Sequence, residues 1–167
     1  MRNLILGCLS AFLVLACQDS DDAKSEFTGN ESTYALAAGS QYNISGTATF
    51  REKVDGSTLI TVELDGTSGN IQHPVHLHLG KIAVDGADIA ALLTPVTGST
   101  GKSETIITRL ADDSQVSYAQ LVALDACIKV HLAASGPDKD IILAGGNIGK
   151  AAKDDAGRIG FGTCKSE

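Results

Sequence analysis

Tyr42-Asn43-Ile44-Ser45-Gly46-Thr47-Ala48-Thr49-Phe50 alternates apolar and polar side chains at period two. That is the pattern of a strand with one buried face. Asp55-Gly56 follows as a turn. Residues 57–64 resume the alternation, with Leu59, Thr61 and Glu63 on one face and Ile60, Val62 and Leu64 on the other. Asp65-Gly66 turns the chain again. Alternating runs separated by tight turns predict an antiparallel, half-buried sheet.

The same reading extends outward. Residues 75–79 form a third strand, with Val75, Leu77 and Leu79 pointing one way and His76 and His78 the other. Pro74 cannot donate to a ladder and marks a strand start or an edge. Residues 82–103 carry Gly86, Pro95, Gly98 and Gly101 and read as a long connection, with one helical turn at 88–93. Further strands fall at 105–110, 127–133, 141–143 and, weakly, 158–161. Ser117-Tyr118-Ala119-Gln120 opens a short helix with a capping box. Gly145-Gly146-Asn147-Ile148-Gly149 reads as a turn. The expected fold is a single all-β, antiparallel Greek-key β-sandwich with one short helix.

Gly98-Ser99-Thr100-Gly101-Lys102-Ser103 ends like a phosphate-binding loop, but position 96, where that loop needs Gly, is Val. A strand follows where a helix should. No nucleotide is expected.

The amino-terminal end bears on location. Arg2 precedes an apolar run over residues 4–16, too short to span a bilayer as a helix. Residues 1–16 are expected to be a signal peptide. Val14-Leu15-Ala16-Cys17 resembles the bacterial lipobox, in which Cys17 becomes the lipidated first residue. Residues 17–33, beginning Cys17-Gln18-Asp19-Ser20-Asp21-Asp22, are polar and acidic and read as a disordered tether. An acidic stretch at that place is similar to the surface-export signal of Bacteroidetes-type lipoproteins, and equally to a solvated spacer. The expected setting is the bacterial envelope: an outer-membrane lipoprotein, exposed at the cell surface, with the membrane reached through lipid. Residues 34–167 form the folded domain.

Removing residues 1–16 takes away Arg2 alone, leaving 12 basic and 20 acidic residues. A net charge of −8 supplies no basic face, so nucleic acid is excluded as a partner. Without Trp, and with few other aromatics, the core must be aliphatic. Cys8 leaves with the leader and Cys17 takes lipid, so Cys127 and Cys164 remain in an oxidising compartment, where a disulfide between them is expected.

All four histidines fall in two stretches, His73-Pro74-Val75-His76-Leu77-His78 and His131. Residues i and i+2 of a strand share a face about 6.5 Å apart. His76 and His78 can therefore converge on one ion, and His131 joins them if its strand runs alongside. Nitrogen-only sites suit copper, zinc or nickel. Cys127 shares the His131 face but lies about 13 Å away along it, too far to ligate the same ion. Lys129 sits between them and opposes a cation unless it turns aside. His73 falls on the other register and is expected to bond backbone. The rival reading is that the histidines hydrogen-bond a loop and each other without metal.

Taken together, Ile44-Ser45-Gly46-Thr47-Ala48-Thr49-Phe50, His76-Leu77-His78-Leu79-Gly80, Gly86-Ala87-Asp88-Ile89-Ala90, Val116-Ser117-Tyr118-Ala119-Gln120-Leu121 and Ile128-Lys129-Val130-His131 resemble the chordin-type (CHRD) domain. The likeness runs over about residues 41–149 and implies an extracellular, all-β domain. The Gly-Glu-Ile-Arg-Gly type strand that closes that family is replaced by Asp140-Ile141-Ile142-Leu143-Ala144-Gly145. A fainter likeness joins the residue 73–78 run to the His-Gly-Phe-His-Val-His strand of Cu/Zn superoxide dismutases. It implies a sandwich of superoxide dismutase or immunoglobulin kind. It also implies copper ligands at His76, His78 and His131, and matches Arg158 loosely to a substrate-guiding arginine. No histidine lies between His78 and His131, so a bridging ligand and histidine zinc ligands are absent.

The expected function is a surface-anchored binding lipoprotein holding copper or zinc at His76, His78 and His131, with no catalytic residue assigned. Two alternatives stand beside it. One is a copper redox enzyme of superoxide dismutase type. The other is a protein- or glycan-interaction module with structural histidines.

Overall fold

Strands with one apolar side must bury those sides together, and a sheet that curls far enough does so by meeting itself. In the computed structural model, which describes residues 24–153 and 161–162, eight strands close into one antiparallel barrel. They are β1 (Phe27–Ala38), β2 (Ser45–Lys53), β3 (Thr58–Asp65), β4 (Gln72–Leu79), β5 (Ile89–Thr97), β6 (Lys102–Ile107), β7 (Asp125–His131) and β8 (Ile142–Ile148). The spatial order is β1-β2-β3-β6-β5-β4-β7-β8. Two short helices, α1 (Tyr118–Leu121) and α2 (Gly149–Lys153), complete the described structure.

The inward side of the opening stretch is as its alternation predicts. Ala48, Phe50, Ile60 and Val62 are buried, and β2 and β3 pair continuously from Ser45↔Asp65 to Glu52↔Thr58. Leu36, Val75, Leu77, Ile128, Val130 and Leu143 meet them from the other strands. The Tyr34 and Phe50 rings meet edge to face at 5.5 Å. α1 has the expected capping box: Ser117 accepts from the Gln120 amide, while the Gln120 side chain accepts from the Ser117 amide.

The closure is uneven. β5 and β6 share the single pair Thr97↔Lys102, and β1 and β8 share only Ala37↔Gly145 and Ala38↔Ala144. Every other neighbouring pair is long.

Several expectations are corrected. The sheet closes continuously where two separate sheets were expected, and a second short helix is present. The tether was expected to reach residue 33, but β1 begins at Phe27. Phe27 pairs with Lys53, the polar, exposed residues 28–30 bulge out of the ladder, and pairing with β2 resumes at Glu31↔Arg51. Arg51 covers the Phe27 ring and pairs with Glu31. The connection assigned to residues 82–103 contains β5. The β4–β5 register jumps from His73↔Val96 to Val75↔Leu93, so Pro74 and Pro95 share a bulge where their missing N–H groups break no ladder bond. Of the Gly-rich turn expected at 145–149, residues 145–148 are instead the buried end of β8, and Gly149 opens α2. A Cβ on Gly146 would strike the Ala35 carbonyl and one on Gly145 would strike Ile82; these glycines mark close approach of backbones, not a bend. The proposed strand at 158–161 lies largely outside the described residues, as do the leader, Cys17 and most of the acidic stretch.

Candidate metal centre

β4 and β7 run side by side, with His76 opposite Lys129 and His78 opposite Cys127. Val75, Leu77, Ile128 and Val130 turn to the barrel core, which leaves the two histidines, Lys129 and Cys127 on the other face. His131 ends β7, just past an irregularity in its pairing with β8. This register brings His131 diagonally next to His76. The two rings lie 4.7 Å apart, and those of His76 and His78 lie 5.7 Å apart. One ring nitrogen from each of His76, His78 and His131 lies within 4.8 Å of the others, so the group can hold a metal ion.

Backbone carbonyls set the rings. His78 Nδ1 lies 3.0 Å from the Ala87 carbonyl oxygen, and His131 Nδ1 lies 2.8 Å from that of Lys139. A carbonyl only accepts, so each Nδ1 carries the proton and donates. In the neutral ring Nε2 then bears the lone pair. Such a partner behind a ligating imidazole fixes its tautomer and orientation. His78 Nε2 is buried and has no hydrogen-bond partner. A buried polar atom left this way costs about 1–3 kcal/mol, which a cation at that nitrogen would offset.

The surroundings favour neutral rings. Burial, followed by the nearby His131 and His78, lowers the His76 pKa to about 4. Burial likewise lowers His78, against its bond to Ala87, with Lys129 and His131 adding to the shift. His131 is lowered by burial and by Lys129, against Lys139 and Asp140. A metal competes with protons for these nitrogens, and here the protons are weak competitors.

A cleft of about 490 Å³ opens over the three rings. Pro74, Ile89 and Leu92 form one wall, and residues 133–136 with Lys139 and Asp140 form the other. Three protein nitrogens leave at least one coordination position facing this space. The far wall comes from the loop after β7, whose role no spacing rule announced. The two carbonyls that orient the rings were also invisible in the sequence, since every residue has one.

His73 is buried and its Nδ1 lies 3.0 Å from the Leu132 carbonyl, apart from the cluster. Lys129 is fully buried on this face, and its ammonium donates to the Gly162 carbonyl at 2.8 Å. Cys127 is buried on the same face. Cys164 and Arg158 lie outside the described residues, as does the expected disulfide. Comparisons with family models, with curated proteins and with solved structures find no match to this chain.

Proposed function

We propose that this protein is an envelope lipoprotein whose barrel captures copper at His76, His78 and His131, with zinc as the weaker competitor. The observation that carries the reading is the buried, unpartnered His78 Nε2 within a cluster of three neutral imidazoles. A structural role alone would leave that lone pair unused, whereas a cation uses it. Among divalent ions, nitrogen donors hold copper more tightly than zinc. Capture and buffering need no more than this site.

The sequence supports the location. A leader over residues 1–16, a lipid on Cys17 and a spacer ending before Phe27 would hold the domain at a membrane surface. The finer fold is read as a flattened Greek key. β4, β5 and β6 form a meander and β7 returns beside β4, the fourth-beside-first order of that motif. With the thin β5/β6 and β1/β8 seams, the barrel divides into β1-β2-β3-β6 and β5-β4-β7-β8. A two-sheet sandwich is what the likeness to Cu/Zn superoxide dismutases implies. The open cleft favours one second reading, copper redox catalysis, because a substrate would have access to the ion.

The test is titration of the full-length protein in mild detergent with Cu(II) and Zn(II), followed by electron paramagnetic resonance. The expected result is one equivalent of copper with nitrogen hyperfine structure, lost in a His76→Ala/His78→Ala variant. Absence of specific copper and zinc binding would reject the site. Superoxide decay by the loaded protein would move the reading from capture to catalysis.

A further inference from the structure

We propose that the buried Lys129 ammonium makes the three-histidine site prefer Cu(I) to Cu(II). Lys129 is thus a specificity-determining residue for the oxidation state of the ion. The inference rests on the copper reading above and deepens it.

Lys129 lies on the histidine face of β7, paired across the ladder with His76 and two residues before His131. It is fully buried. Among the described residues its ammonium has the Gly162 carbonyl as hydrogen-bond acceptor and no carboxylate in an ion pair. A carbonyl satisfies a donor but does not cancel its charge, so a positive field persists beside the site. In a protein interior that field is weakly screened.

The ligand set offers nothing to offset it. Three neutral imidazoles bring no negative charge. Repulsion from a fixed cation scales with the charge of the bound ion, so the cupric ion meets twice the penalty of the cuprous ion. Asp140 is the acidic group on the cleft wall, but it is exposed, and water and salt screen it. Coordination number points the same way. Cu(II) favours a square or tetragonal set of four or more donors, whereas this cluster supplies three.

The experiment measures dissociation constants of the full-length protein for Cu(I) and Cu(II) separately. Cu(I) is titrated without oxygen against a chromophoric Cu(I) chelator, and Cu(II) against a Cu(II) chelator. Lys129→Met is run beside the wild type, with circular dichroism to check the fold. Wild type should bind Cu(I) more tightly than Cu(II). Lys129→Met should shift the ratio toward Cu(II) by about tenfold or more, and each tenfold is about 59 mV in a one-electron potential. If Lys129→Met unfolds, Lys129→Gln, which keeps a donor for the Gly162 carbonyl, carries the same comparison. Wild-type preference for Cu(II), or an unmoved ratio in a folded variant, would overturn the inference and leave the copper site standing. Binding of neither ion would overturn the copper site and this inference together.

Discussion

His131 Nδ1 donates to the Lys139 carbonyl oxygen at 2.8 Å, and through this bond the loop that walls the cleft also aims a ring at its centre. Site and cover are one mechanical unit. A change in the 133–140 loop will therefore be felt as a change in ligand orientation.

Metal binding should stabilise the fold. A ligand that binds only the native state adds about 4 kcal/mol at a thousandfold excess over its dissociation constant. For a domain of this size that raises the melting midpoint by about 10 °C or more. Thermal unfolding by circular dichroism, with and without copper, should show the rise in wild type and none in His76→Ala/His78→Ala/His131→Ala.

The histidines also set a pH dependence. Their native pKa values lie below the ordinary 6.5, that of His76 at about 4. Between those limits the unfolded chain binds protons that the native protein refuses, so stability rises with pH. It should be complete above pH 6.5 and decline as pH falls from 6.5 towards 4, in denaturant titrations of the metal-free protein. His76→Ala should flatten the slope. Copper affinity should stay level as pH passes down through 6.5.

Asp140 lies on the cleft wall and favours the protonated, positive form of His131. It should favour a metal cation in the same way, weakly, because it is exposed. Asp140→Asn is expected to weaken copper binding about two- to fivefold at low ionic strength. In 1 M salt the difference should vanish.

Gly146→Ala should destabilise the barrel by about 3 kcal/mol. Its methyl group would be driven into the Ala35 carbonyl on β1. Urea unfolding measures the loss. A shift below about 0.5 kcal/mol would mean that the β1–β8 approach relaxes freely.

The parts legible in the sequence are those with a periodic or spaced signal. Residues 44–50 and 57–64 had to alternate because one face is core, and β2 and β3 stand there. His76 and His78 had to share a face because strand geometry has period two. His131 was placed on the outward side of its strand by Ile128, Val130 and Leu132. What was hidden depends on partners. Thr28 to Ser32 have no apolar period: Glu31 and Ser32 pair with β2, while Thr28 and Asn30 hold the bulge before them by side-chain bonds to Glu52. Pro95 and the Gly145-Gly146 pair carry breaker signals, yet a bulge accommodates one and tight backbone contact requires the others. The carbonyls of Ala87 and Lys139 leave no trace in residue type.

The β1–β2 ladder has a last consequence. If the chain is pulled from its amino-terminal side, the load enters the fold at Phe27. It is borne in shear along β2, from Phe27↔Lys53 to Leu36↔Gly46, before it reaches Ala37↔Gly145 and Ala38↔Ala144. Only past that seam do β8 and β7 lead to His131. Load that enters at Phe27 therefore meets the β1–β2 ladder first, with β8 still standing between β1 and the strand that carries His131.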